Sequence, residues 1–209
     1  MPIVVVGGHS RSVGKTSVVA GLIAALPDLN WTAIKITQYG HGICSANGEA
    51  CECVTADHSL AVSEEKDRSG ESDTSRFLVA GADHSWWVRT QQGHLAEAMP
   101  RIRKILAATQ NAIIESNSIL RFLKPDLYLT VLDPQTLDFK SSAQTYLDRA
   151  HAVILHSNNI DSLNPVLAHP SWERVSLKPV AGRPTFRIQP PNYLTQEVVE
   201  FVRSRLSGV

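Results

Sequence analysis

A chain of 209 residues, 43% hydrophobic and 19% charged, can bury one substantial core and is short for two. Lys plus Arg and Asp plus Glu both number 20, with no block of one sign, which sets aside nucleic acid and anionic membranes as partners. No apolar stretch approaches the ~18–20 residues of a membrane span and no secretion signal is evident, so a single soluble, cytoplasmic domain over 1–209 is expected.

Short apolar runs alternate with amphipathic stretches, the pattern of an α/β fold with a doubly wound, mostly parallel sheet. About seven strands are expected, at 2–7, 31–37, 85–90, 111–116, 126–132, 151–156 and 185–188. The first helix is "GKTSVVAGLIAAL", ending before Pro27. "GHLAEAMPRIRKILAAT" places Leu95, Met99, Ile102 and Leu106 at helical intervals, with Pro100 either kinking the helix or marking a later start. "SSAQTYLDRA" and "LTQEVVEFVRSRL" complete the helices, the latter with Leu194, Val198, Phe201 and Leu206 on one stripe. Two stretches break the alternation. Residues 39–72 show no sustained period and read as an inserted Cys- and His-containing loop after the second strand, and 158–184, with four prolines, reads as irregular surface chain. Of Trp86 and Trp87, at least one is expected in the core.

The first strand runs into "GHSRSVGKTS", which has five residues between Gly8 and Gly14 where the usual phosphate loop has four. The chemistry survives the extra residue. Gly14 opens a helix whose free N–H groups point at an anion, Lys15 reaches terminal phosphates and Thr16 offers a hydroxyl to Mg²⁺. Gly8, His9, Ser10, Arg11, Ser12, Val13, Gly14, Lys15, Thr16 and Ser17 are therefore the candidate nucleotide-binding residues, with His9 and Arg11 facing the phosphates or a dimer partner. Glu115 closes the fourth expected strand, where a carboxylate beside Lys15 calls for a metal or another cation.

The five-residue gap resembles the loop of dethiobiotin synthetase and of the cobyric-acid-synthase-like amidotransferases, in the P-loop NTPase class that includes the signal-recognition GTPases and the ParA/MinD ATPases. "KITQYG", from Lys35, is similar to a dethiobiotin synthetase stretch whose lysine faces substrate and phosphates, with Ile36 in place of that family's proline. "SDTSRFLVAGA", Ser72–Ala82, resembles a segment of the molybdopterin-guanine dinucleotide biosynthesis accessory protein B family. That resemblance implies that Asp73 and Thr74 begin a helix and face Mg²⁺ and the γ-phosphate, with Arg76 on the same face; from the residues alone, Asp73 also reads as the helix N-cap. Both relatives continue Glu-Gly where this chain has Glu115-Ser116-Asn117. "NNID" keeps the outer positions, Asn158 and Asp161, of the guanine-reading motif of related GTPases, and leaves ATP or GTP open.

"HGICSANGEACEC" gathers His41, Cys44, Cys51 and Cys53, enough for a tetrahedral zinc site although the spacing is not that of a zinc finger. His58 is an alternative ligand, and an iron–sulfur cluster or free thiols compete with zinc. The resemblances imply a Mg-dependent ATPase or GTPase, a homodimer, assisting biosynthesis or insertion of a metal-containing cofactor such as the molybdenum cofactor. Lys15, Lys35, Asp73 and Glu115 are its catalytic residues, and Thr16, Asp73 and Glu115 hold Mg²⁺. A ligase or kinase acting on a small carboxylate, and a metallochaperone GTPase serving a metalloenzyme client, are the alternatives.

Overall fold

The structure, a computed structural model, describes residues 1–39, 60–157, 172 and 175–207. Among these, eight strands form one sheet: β1 (Ile3–Gly8), β2 (Trp31–Tyr39), β3 (Leu60–Glu64), β4 (His84–Gln91), β5 (Asn111–Glu115), β6 (Leu127–Leu132), β7 (Ala152–His156) and β8 (Thr185–Ile188). Their order is β3-β4-β2-β5-β1-β6-β7-β8; β3 runs antiparallel to β4 and every other neighbouring pair is parallel. Five α-helices accompany them: α1 (Lys15–Ala25), α2 (Asp73–Val79), α3 (Leu95–Ala107), α4 (Ser141–Thr145) and α5 (Gln196–Leu206).

The central strands read as unbroken apolar runs because both faces of the sheet are covered. Val4, Val6, Ile113, Leu129 and Ile154 point into a core shared with Val18 and Leu22 of α1, Phe77 of α2 and Val198 of α5. Their neighbours Val5, Ile114, Tyr128 and Val153 point the other way, against Leu95, Ile102 and Leu106 of α3 and against Trp172 and Val180. The chain travels outward from β1 through β2 to β4, returns to lay β5 between β2 and β1, and then continues on the far side of β1 with β6. Direction therefore reverses at β1, and the carboxyl ends of β1, β2 and β5 open side by side, where open α/β sheets bind ligands.

The seven expected strands are all present, and the eighth, β3, lies inside 39–72. At five half-buried residues, "LAVSE" is too short to show a period, and only pairing with β4 defines it. Pro100 lies within α3, exposed, and does not delay its start at Leu95; the lost backbone bond falls on the solvent side. Trp86 and Trp87 are both half-buried because β4 lies next to the sheet edge, and Trp86 packs against the core, as expected for at least one of them. The described part of 158–184 departs from a surface chain: Trp172, Val175, Leu177 and Val180 belong to the core. No helix among the described residues is long and apolar enough to cross a membrane.

Ile114, fully buried at the centre of the sheet, tests this packing: Ile114→Ala is expected to cost ~2–5 kcal/mol in urea denaturation, as a cavity in a two-sided core that cannot collapse.

Candidate active site

The loop between β1 and α1 is held from every side. At its root, the Asn117 side chain accepts from Gly8 N–H at 3.0 Å and donates to Gly8 C=O at 2.8 Å, acting as a substitute strand partner. This contact requires glycine before it, because a Cβ on Gly7 would run into Asn117 Oδ1 and the Tyr128 ring. At the far end, His156 Nε2 donates to Val13 C=O at 3.0 Å, and Tyr193 packs on both Gly14 and the His156 ring. Gly14 adopts φ +85°, which brings the chain into α1 without a side-chain cap and leaves the first-turn N–H groups for an anion.

His9 does not face the phosphates. Its ring is fully buried, packed against Phe139 and Trp172, and both its backbone groups are bonded, to Val131 C=O and Lys140 N–H. Burial holds its pKa below the ordinary value despite the carbonyls of Thr136 and Val131 beside its ring nitrogens. Val13 is likewise buried, while Ser10 donates to Asp138 at 2.9 Å. Arg11, Ser12, Gly14, Lys15, Thr16 and Ser17 line a cleft of about 650 Å³ at the carboxyl edge of the sheet.

Four of the expected residues converge at its floor. Thr16 Oγ1 donates to Glu115 Oε2 at 2.8 Å, and Lys35 Nζ donates to Glu115 Oε1 at 3.0 Å. Lys35 also pairs with Asp73 and lies 3.4 Å from Thr16 Oγ1. The sheet register brings this about: Lys35 and Glu115 are direct partners on β2 and β5. Burial works to lower the Lys35 pKa, but Glu115 and Asp73 outweigh it and hold it above the ordinary value. Lys15 donates to Ser10 C=O at 2.6 Å, and burial, opposed by Glu115 and aided by Lys140 and Lys35, brings its pKa from 10.5 down to about 8.

Asp73 reaches the cluster as the first residue of α2. The cap is Ser72, whose side chain accepts from Ser75 N–H, so the expectation of Asp73 as cap is corrected, and its carboxylate is left for Lys35. Arg76 shares that face and donates to Ser17 at 3.2 Å. Thr74 does not: one residue further round the helix, it is buried and donates to Glu65 at 2.7 Å. Glu65 also accepts from Ser72 and from two backbone N–H groups, and so fixes the entry of α2.

Sequence reasoning missed Asn117, His156, Tyr193, Glu65 and Lys140, the last a further cation lining the cleft. Only Asn117 left a trace, as the departure from the relatives' Glu-Gly. His41, Cys44, Cys51, Cys53, His58, Asn158 and Asp161 lie outside the described residues, among which no group of His, Cys, Asp and Glu is arranged to hold a metal ion.

A β-strand, a Gly-Lys-Thr loop, a helix opening on that loop and an acidic residue on the adjacent parallel strand define a P-loop NTPase fold. No protein-family model matches the chain, and no curated protein matches it. Solved structures similar to it include LpxK from Aquifex aeolicus in complex with ATP, at 18% identity over 90% of this chain and 53% of that one, TM-score 0.47. HypB from Helicobacter pylori in complex with nickel is similar at 14% identity over 98% and 85%, TM-score 0.45. Bacillus subtilis MobB is similar at 15% identity over 98% of both chains, TM-score 0.43. The chain thus spans about half the length of LpxK.

The depressed Lys15 pKa has a measurable sign. Free protein loses the ammonium proton above pH 8, while a bound polyphosphate favours the charged form. Nucleotide affinity is therefore expected to fall as pH rises through about 8, and binding at pH 8.5 to take up a proton, read by calorimetry in buffers of different ionisation enthalpy.

Proposed function

We propose that the chain is a Mg²⁺-dependent nucleoside triphosphatase whose catalytic floor is Thr16, Lys35, Asp73 and Glu115. The observation that carries this is the convergence of a hydroxyl, two carboxylates and a lysine beneath the N-terminus of α1. The residues fit a divalent cation, since a positive group, the Lys35 ammonium, already sits between Glu115 and Asp73. Bound with the nucleotide, magnesium neutralises the charge that builds on the β- and γ-phosphates.

The chain's own residues supply the rest. The amides at the start of α1 and the Lys15 ammonium bind the phosphates, and Arg11, Arg76 and Lys140 add positive charge around them. Thr16 and Glu115 hold the cation, and Asp73, about two-fifths exposed at the mouth of the floor, orients a water or an acceptor. Asn158 and Asp161 are the proposed base contacts. His41, Cys44, Cys51 and Cys53 follow β2, whose last described residue, Tyr39, lines the cleft; they are proposed to hold zinc, or less readily an iron–sulfur cluster. The resemblance of Ser72–Ala82 supports a role in building or inserting a metal-containing cofactor such as the molybdenum cofactor, for a protein proposed to be a cytoplasmic homodimer. A second reading, phosphoryl transfer to a small carboxylate, rests on Lys35 and its likeness to the substrate-facing lysine.

Calorimetric titration with ATP and GTP in Mg²⁺ is expected to give binding for at least one, lost in Lys15→Ala. Glu115→Gln is expected to keep binding while slowing turnover by on the order of 100-fold or more. Absence of binding for both nucleotides refutes the proposal. Accumulation of phosphorylated product with a small acid, in place of slow hydrolysis, decides for the second reading. Elemental analysis of wild type beside Cys44→Ser/Cys51→Ser/Cys53→Ser tests the zinc site, and unchanged metal content removes it.

A further inference from the structure

Each proposed metal-holding group is already engaged. Lys35 Nζ donates to Glu115 Oε1 at 3.0 Å, pairs with Asp73 and lies 3.4 Å from Thr16 Oγ1, while Thr16 donates to the other Glu115 oxygen at 2.8 Å. This is not a surface lysine that has found carboxylates nearby. Its side chain is 16% exposed and that of Glu115 6%; the two are direct register partners on adjacent parallel strands, and Asp73 is held by the Ser72 cap and the Glu65 bonds. A carboxylate as buried as Glu115 is costly without a cation, and Lys35 supplies one.

The surroundings disfavour a free metal ion. Five cationic side chains, Arg11, Lys15, Lys35, Arg76 and Lys140, line the cleft against two carboxylates, Asp73 and Glu115. Free Mg²⁺ meets net repulsion there as well as an occupied seat. A nucleoside triphosphate, carrying roughly four negative charges, reverses the local balance and offers oxygens to the metal and to the displaced ammonium alike.

From this geometry we infer that Lys35 is a built-in counter-ion that fills the divalent-cation seat and makes metal binding conditional on the nucleotide. The lysine is a positioning residue for the reaction: it keeps Thr16, Asp73 and Glu115 assembled and neutralised while the cleft is empty, and gives way when phosphates arrive. Its flexible four-carbon stem allows the head group to shift while the strand stays paired. The inference rests on the Mg²⁺–nucleotide reading of this site.

The test is a Mn²⁺ titration followed by electron paramagnetic resonance at pH 7.5, with and without ATP or GTP, on wild type, Lys35→Met and Lys35→Arg, each checked for folding by thermal denaturation. Wild type and Lys35→Arg are expected to bind Mn²⁺ only with nucleotide present. Lys35→Met is expected to gain a nucleotide-free Mn²⁺ site at least ~10-fold tighter than wild type, since the unit charge that occupies the seat, 3.0 Å from Glu115 Oε1, is removed. Nucleotide-free Mn²⁺ binding by wild type as tight as its binding with nucleotide present overturns the inference, and that arm stands even if the methionine variant does not fold. A folded Lys35→Met that gains no such site also overturns it. Wild type that binds neither nucleotide in the presence of Mn²⁺ sinks the underlying reading, whereas nucleotide-competent wild type beside a silent Lys35→Met sinks the counter-ion role alone.

Discussion

The buried contact between Lys35 and Glu115 is the constraint on which the site depends. It exists because β5 is laid between β2 and β1, so that a lysine in the middle of one strand and a glutamate at the end of the next become register partners. Both charges are largely removed from water, and neither could stay there alone. Thr16 and Asp73 then join from α1 and α2, so the cluster ties two helices and two strands to one point. Its residues are set by backbone pairing and helix capping, the kind of support that keeps a reactive geometry fixed without a ligand.

The loop between β1 and α1 is held by contacts of the same long-range kind. Asn117 replaces strand pairing at Gly8, the buried His9 ring fills the space beneath Phe139 and Trp172, and His156 and Tyr193 fix Val13 and Gly14. The extra residue relative to the usual loop is therefore absorbed into packing: His9 leaves the phosphate side, and Arg11 and Ser12 form the exposed rim. Preorganisation of this kind matters because backbone N–H groups stabilise an anion best when they need not reorient to meet it.

Much of this was legible in the chain. Seven strands were visible because buried parallel strands are apolar runs bounded by glycine and polar residues, and α1, α3 and α5 because their buried positions recur every three to four residues. Lys15, Thr16, Lys35, Asp73 and Glu115 were legible as motif residues. Short β3 was not, since five half-buried residues carry no period of their own. Nor were Thr74, turned toward Glu65, or Asp73 as a pairing residue beside a Ser72 cap, since a shift of one residue on a helix decides which side chain faces the cleft. Trp172 lay in a proline-rich stretch whose composition gave no sign that it reaches the core.

By itself the sequence determined the alternation of strands and helices and the Gly-Lys-Thr loop between the first of each, because both follow from local periodicity and from fixed spacing along the chain. Only the tertiary structure decided that Lys35 meets Glu115, that Asn117 and His156 clamp the loop more than a hundred residues away in sequence, and that His9 turns inward. Those contacts depend on strand order and register, which are set by burying both faces of the sheet together and, Asn117 apart, leave no local trace in the residues they join.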